Sequence, residues 1–443
     1  FPDPVAPATK SLLLWWSELG WRDAYARMGA FDLDEFPDDE FAILGVAGGY
    51  CYLNASVQRL FGERAPGLSW KVIDDQFYGA QPGIPPYEER PGDVRPDLTE
   101  KLQETFGWVF TITDVDQLDR LTEHRRRTIE LRRDRPDFTE MSDQEIWDYS
   151  YALYPLHREL FQEHLFVTTL VTVPVGVIQG TAEAVGRPDL IMPIMAGVGQ
   201  VDSAEPSYAM WALSRLEPTG EQFREGFEEF LVEFGSRGPN EWEARSPTWE
   251  TQPNLALAAI DRMRAADDSA DPTANQRQRA AERAEAAATL LAAVEGDPEA
   301  HGQLAAAIAA SAAWLPARER TKTNNIRLLQ ELRVSLRELG HRMVERGVFD
   351  EIEDFGFVLF EETDTLLGPN PGVLSDRIRE RRDEHRRLGD RVPQFVFAGA
   401  PDDPETWPLR SEVSAPALTT GESIQGFPGC PGSAEGRARV ILD

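Results

Sequence analysis

Apolar side chains recur every three or four residues along most of this chain, a pattern that predicts amphipathic helices. The clearest case is Phe223, Phe227, Phe230 and Phe234, whose spacings of four, three and four place the rings on one helix face. Gly235 follows them as a natural helix stop. We expect this aromatic stripe to belong to the core.

Further helices are predicted on both sides of the stripe. A helix rich in Trp covers residues 12–27, and a capping box that starts at Ser142 begins a long helix over residues 143–172. Two Ala-rich helices and a longer periodic helix are predicted toward the C-terminus, at residues 276–294, 303–314 and 326–343. Gly347 follows the last of these and is expected to end it.

Three stretches interrupt the helical pattern. Residues 46–57 form a short apolar segment that fits either a strand or a helix, and residues 79–97 are dense in Pro and Gly, which predicts a loop. Residues 421–443 predict a turn followed by a strand. The predicted fold class is therefore mainly α, with a less regular N-terminal section and a short β segment at the C-terminus.

Charge and length narrow the class of protein. The chain has 443 residues, too many for one compact core, and a formal net charge of −31. Nucleic acids and anionic membrane surfaces attract basic proteins, so neither partner is expected. The longest apolar run, residues 165–178, is too short to span a bilayer.

Cysteine usage points to a reducing compartment. Cys51 and Cys430 lie far apart, and the chain has no CxxC pair or Cys/His cluster. This argues against a disulfide framework and against a metal site. We therefore expect a cytoplasmic protein without a bound metal.

Several short segments form an ordered set along the chain. The Pro-rich residues 1–7 open it, and the tail 426–440 closes it with Cys430 where a Ser is usual. Between them lie GYCYLN (49–54), FGSRGPNE (234–241), RERTK (318–322) and LGHR (339–342). Together these segments resemble the phosphoenolpyruvate-utilising enzymes, in particular the middle region of the rifampin phosphotransferase-like family. Ser236 stands where that family has His.

The resemblance implies a machine of three parts. In this family an ATP-grasp domain phosphorylates a histidine on a swivelling domain, which delivers the phosphoryl group to an acceptor held elsewhere. This chain contains neither the ATP-grasp region nor the phosphohistidine motif, so it is expected to be the helical acceptor-binding and linker part, inactive alone. The implied partners are a small-molecule hydroxyl acceptor and the other two domains, in cis or as separate subunits. No cofactor is expected in this chain, while ATP and Mg²⁺ are expected in the complete enzyme.

The expected division of the chain follows the same resemblance. Residues 1–140 form a mixed N-terminal section, 141–398 a helical domain, 399–425 a linker, and 426–443 the truncated start of the phosphohistidine domain. The alternative is a non-catalytic small-molecule-binding protein on the same scaffold, which the Ser236 replacement favours.

Candidate substrate-binding residues lie in the family-like segments. Phosphoryl transfer requires positive charge near the migrating group, which selects Arg237, Arg318 and Lys322. For Arg237 and Glu241 the alternative is an ion pair that only fixes the turn. The basic residues at 318–322 are alternatively a solvated helix start. Tyr52 and Asn54 complete the substrate-binding set through the resemblance.

His164 is the candidate for catalysis. It lies seven residues from His157, about two helical turns, so the two rings share a face. A His that faces a pocket can take the proton of an acceptor hydroxyl, and the alternative is a structural histidine. We expect a pocket between the N-terminal section and the helical bundle, basic at its rim and apolar inside.

Overall fold

A computed structural model describes residues 3–79, 81, 83–199 and 201–413. The fold is mainly α, as the sequence predicted. Within these residues the α-helices are, in chain order, α1 (Trp15–Met28), α2 (Ala55–Arg64), α3 (Trp70–Phe77), α4 (Pro96–Val109), α5 (Asp119–Arg133), α6 (Asp143–Ala152), α7 (Tyr154–Leu170), α8 (Thr172–Ala184), α9 (Ile191–Met195), α10 (Glu205–Ser214), α11 (Glu221–Phe234), α12 (Pro253–Ala265), α13 (Pro272–Ala293), α14 (Pro298–Glu345), α15 (Thr363–Leu366) and α16 (Ser375–Gly389). The strand predicted near the C-terminus lies outside the described residues.

The N-terminal section combines helices with one hairpin. A π-helical segment, Thr9–Leu14, runs directly into α1. Strands β1 (Leu44–Ala47) and β2 (Tyr50–Leu53) pair antiparallel. Gly48 and Gly49 form their turn with φ of 55° and 80°, a region that favours glycine. The ambiguous segment 46–57 is thus mostly hairpin, followed by the start of α2.

The single helix predicted over residues 143–172 is wrong in extent, because the chain forms α6, α7 and α8 there. Pro155 lies in the first turn of α7 and Pro174 in the first turn of α8, where a missing N–H disrupts no helical bond. Asp143–Ala184 is the one described segment apolar enough to cross a bilayer. Its residues Leu160, Val167 and Leu170 are buried in the core.

Helix α14 organises the rest of the fold. It has 48 residues and joins the helices predicted at 303–314 and 326–343 into one, with Pro316 inside it. Gly347, with φ of 69°, follows its end as predicted. A short 3₁₀ turn, Asp268–Ala270, precedes α13, which begins at Pro272.

Two large apolar clusters fill the molecule, and α7 and α14 contribute to both. The aromatic stripe on α11 forms a separate cluster with α10 and α12, in which Phe223 and Phe227 stack with centroids 6.0 Å apart. This confirms the core assignment of the stripe.

Buried charge joins the parts of the fold. On α14, Arg327, Glu331 and Arg333 are each almost fully inaccessible to solvent. Glu331 accepts hydrogen bonds from Arg132 and Arg135, and Arg333 donates to backbone carbonyls between residues 241 and 244. Separating either pair would leave an unpaired charge in the interior, which is strongly unfavourable. These contacts therefore hold α5 and the 235–250 segment against α14.

Candidate functional site

A cavity of about 280 Å³ lies between the N-terminal section and the helical bundle. It is lined by Leu13, Leu14, Ser17, Trp21, Leu44, Cys51, His157, Phe161, His164, Leu165, Trp242 and Leu329. None of these lining residues is an acid, a Lys or an Arg. The cavity therefore has the apolar interior that suits a small organic ligand.

Close packing of α1 on α7 gives the cavity its main wall. A Cβ placed on Gly20 would lie 2.7 Å from the Arg158 carbonyl oxygen, so only glycine allows this approach. Asp23 fixes the same contact through an ion pair with Arg158. One turn before Gly20, Ser17 then faces His157 across the two helices.

His164 connects the cavity to the RERTK segment of α14. Its Nδ1 is 3.1 Å from Thr321 Oγ1, and that hydroxyl donates to the Arg318 carbonyl at 2.9 Å. With the hydroxyl proton used there, Thr321 can accept from Nδ1–H, an arrangement that leaves the lone pair of the ring on Nε2. Thr168 Oγ1 makes a longer contact with the same Nδ1, at 3.5 Å. No described residue hydrogen-bonds Nε2. Trp242 stacks on the ring with centroids 5.8 Å apart.

The surroundings of His164 keep it neutral. Burial lowers its pKa to about 3, and the positive charges of Arg318 and Lys322 act in the same direction. A neutral imidazole with a free Nε2 can accept a hydrogen bond from a hydroxyl in the cavity.

A second polar pair lines the same cavity. Ser17 Oγ lies 3.1 Å from His157 Nε2, and both residues are almost fully buried. Burial lowers the pKa of His157 to about 4, so this ring is also neutral at pH 7. The two histidines share a face of α7, as their spacing predicted.

Three of the predicted site residues form a charged cluster beside Thr321. Glu241 Oε1 lies 2.6 Å from Arg237 Nε, and Glu241 Oε2 lies 3.2 Å from Lys322 Nζ. Arg237 also reaches Thr323 Oγ1 at 3.5 Å. We call Arg237, Glu241 and Lys322 the charged cluster. It adjoins the cavity wall through Trp242, the residue after Glu241.

The remaining basic residues of RERTK differ in their surroundings. Arg318 is 44% exposed in its side chain and pairs with Glu319 at 2.6 Å. Arg320 is turned toward Asp116 and the buried Asp202. Arg318 is therefore the more accessible of the two arginines to an incoming anion.

Tyr52 and Asn54 lie away from the charged cluster and do not line the cavity. The Tyr52 hydroxyl donates to the Gln394 carbonyl at 2.9 Å, and the Asn54 side chain caps α2 by accepting from Ser56 N–H. These contacts give both residues structural roles, and a part in substrate binding stays a prediction.

Among the described residues, no three side chains of His, Cys, Asp or Glu come together as metal ligands. The described residues thus offer no group of donors that fits Mg²⁺.

The sequence missed part of the cavity wall. Ser17 and Trp242 come from segments far from α7 and were not among the candidates. Ser17 had one local signal, since it is a small polar residue one turn after Leu13 on an otherwise apolar helix face. For Trp242 the sequence offered no local signal except its position next to Glu241.

Comparison with known proteins shows which family this chain resembles. Residues 212–319 match the family model described as the rifampicin phosphotransferase fourth domain. The match covers about a quarter of the chain. Together with a rifampicin phosphotransferase among the relatives, it supports the resemblance to the phosphoenolpyruvate-utilising, rifampin phosphotransferase-like family that was predicted from the sequence.

Individual relatives are similar over about half of this chain. The rifampicin phosphotransferase of Streptomyces sviceus is 26% identical over 234 residues, which are 51% of this chain and 26% of that protein. Uncharacterized proteins of Mycobacterium tuberculosis and Mycobacterium bovis are each 30% identical over 230 residues, or 52% of this chain and 23% of theirs. The matched part thus spans about a quarter of each relative.

Proposed function

We propose that this chain binds the hydroxyl acceptor of a dikinase-type phosphotransferase, in which a phosphoryl group moves from ATP through a phosphohistidine to the acceptor. One observation carries the proposal: His164 lines an uncharged cavity and bonds Thr321, the residue before Lys322. An apolar binding space and a source of positive charge therefore meet at one side chain.

The reaction follows from this arrangement. The acceptor hydroxyl donates a hydrogen bond to His164 Nε2, which orients its oxygen toward the phosphoryl group. Arg237 and Lys322 stabilise the phosphoryl oxygens, with Arg318 at the edge. The new O–P bond forms as the N–P bond of the phosphohistidine breaks, and the hydroxyl proton passes to His164 Nε2.

The arriving phosphoryl group also acts on the smaller cause of the low pKa of His164, the nearby positive charges, while burial, the larger cause, remains. With a pKa of about 3, His164 is a poor base in the resting protein. A phosphoryl dianion beside Arg318 and Lys322 offsets the charges that help to lower this pKa. His164 thus becomes more basic when the proton has to leave the hydroxyl.

The other parts of the reaction are assigned to other domains. ATP and Mg²⁺ belong with an ATP-grasp domain, and the phosphohistidine with a swivelling domain, joined in cis or as separate subunits. We propose a cytoplasmic location, where ATP is available.

The test follows phosphate from radiolabelled ATP in the protein assembled with these two domains. Label should pass first to a histidine and then to a small hydroxylated molecule. His164→Gln should slow the second step about 100-fold and leave the first unchanged. Unchanged acceptor phosphorylation in a folded His164→Gln protein would contradict the proposal.

A second candidate function is binding without transfer. It is favoured by Glu241, which already pairs with both Arg237 and Lys322. In that case the assembled protein would bind the small molecule in the cavity, and label would never leave the histidine.

A further inference from the structure

We infer that the Ser17–His157 pair recognises a second, uncharged polar group of the acceptor, at the end of the molecule opposite the reacting hydroxyl. The inference rests on the proposed function and narrows the class of acceptor. The evidence for this inference is the distribution of polar atoms in the cavity.

The cavity has two polar positions and an apolar stretch between them. His157 and His164 both line it and are seven residues apart on α7, which corresponds to about 10 Å along the helix axis. Phe161 lines the wall between them. A ligand that reaches both histidines therefore needs an apolar body with a polar atom at each end.

The Ser17–His157 end has unused hydrogen-bonding capacity. A hydroxyl has one donor and two acceptor positions, and the 3.1 Å bond between Ser17 and His157 uses only one of them. Ser17 itself lines the cavity, and no other described residue hydrogen-bonds its hydroxyl. Buried polar groups are normally satisfied, so the remaining positions of the Ser17 hydroxyl suit a polar group of a ligand.

Charge and size restrict that ligand further. The lining residues carry no acid, Lys or Arg, and burial keeps both histidines neutral, so a charged group would enter without a counter-ion. A volume of about 280 Å³ lies at the lower end of the range for small-molecule sites. The acceptor class is therefore a compact, uncharged, mainly apolar diol or hydroxy-ketone with its two polar groups at opposite ends.

Direct binding to this chain tests the inference without any phosphoryl transfer. Calorimetry compares 4,4′-dihydroxybiphenyl, which has hydroxyls at both ends of a rigid apolar body, with 4-hydroxybiphenyl, which has one. The diol should bind about tenfold more tightly, the equivalent of one good hydrogen bond. Equal affinities would overturn the inference.

A pair of matched variants locates the effect. Ser17→Ala should remove the tenfold preference and leave the affinity for 4-hydroxybiphenyl unchanged. Ser11→Ala, which removes a hydroxyl bonded only to the Pro7 carbonyl and outside the cavity lining, should keep the preference. If Ser17→Ala weakens both ligands equally, or keeps the preference, the pair does not recognise a second polar group.

The outcome is separable from that of the proposed function. Loss of the diol preference leaves the phosphate-transfer test untouched, because that test needs only one hydroxyl. Conversely, a diol preference that depends on Ser17, in a protein whose label stays on histidine, supports recognition and removes the transfer step.

Discussion

His164 Nδ1 lies 3.1 Å from Thr321 Oγ1, and this contact joins the cavity to the basic segment of α14. The Thr321 hydroxyl donates to the Arg318 carbonyl, so it favours the tautomer of His164 that carries its proton on Nδ1. A methyl group in its place would leave Nδ1 with only the longer contact to Thr168 Oγ1, at 3.5 Å.

Thr321→Val tests this role. The variant keeps the shape of the side chain but removes the acceptor for Nδ1–H, so acceptor phosphorylation by the assembled protein should fall about tenfold or more. Nitrogen-15 NMR of the imidazole should show a mixed tautomer. Thr128→Val is the control. It makes the same substitution at another buried threonine, whose hydroxyl bonds backbone carbonyls and does not contact His164. A single Nδ1–H tautomer in Thr321→Val would show that another group fixes the ring.

Arg237→Ala tests the charged cluster. Loss of this guanidinium should lower phosphoryl transfer to the acceptor by about 100-fold, because the phosphoryl oxygens lose a charged donor. Phosphorylation of the histidine should be unchanged. Arg133→Ala removes an exposed arginine paired with Glu229 and should alter neither half-reaction. Two unchanged half-reactions in a stably folded Arg237→Ala protein would make Arg237 structural.

Acid should destabilise the protein partly through His157. Its pKa is 6.5 when unperturbed and about 4 in the folded state, so above pH 6.5 it is neutral in both states. Between pH 6.5 and 4 the unfolded chain binds a proton that the folded chain does not, so stability falls as pH falls. Below pH 4 both states are protonated and the loss is complete, at about 3 kcal/mol.

Chemical denaturation from pH 7 to pH 4 measures this effect. His157→Gln should lose less unfolding free energy over that range than the parent chain. The exposed His341, as His341→Gln, should follow the parent curve. Parallel curves for the parent and His157→Gln would mean that His157 titrates normally in the folded protein.

Gly20→Ala tests the close approach of α1 and α7. The added methyl would lie 2.7 Å from the Arg158 carbonyl oxygen, so the helices must separate, at a cost of about 1–3 kcal/mol in the free energy of unfolding. Affinity for 4-hydroxybiphenyl should fall with it, since the cavity wall moves. Gly107→Ala, where nothing lies within 4 Å, should instead stabilise the protein slightly. An unchanged melting temperature for Gly20→Ala would contradict the packing described here.

Local patterns in the sequence predicted local structure well. The aromatic stripe of α11, the capping box at Ser142 and the stop at Gly347 each depend on residues within a few positions, and each is present as expected. The break between α6 and α7 was missed because apolar periodicity continues through it. Pro155, rather than the period, marks the new helix.

Long-range contacts explain the other differences. The regular spacing of apolar residues is lost between residues 314 and 326. Two helices were therefore predicted where α14 is continuous. That polar stretch is stabilised by distant partners: Asn325 donates to the Leu160 carbonyl, and Arg320 pairs with Asp202. The same limit applies to the site. His164 could be nominated from α7 alone, whereas its neighbours Ser17 and Trp242 depend on the fold.

Arg237 and Lys322 share one partner, Glu241, and this arrangement bears on which source of phosphate can reach the site. Arg237 and Lys322 bring two positive charges against one negative charge, a small positive island on a chain of net charge −31. Free nucleotides and inorganic phosphate would approach against the repulsion of the whole molecule, which acts over about 8–10 Å at physiological salt. In the proposed reaction the phosphoryl group arrives on a tethered domain, so its local concentration is set by the tether and not by this repulsion. The acidic surface would then act as a filter that admits phosphate only from its own carrier.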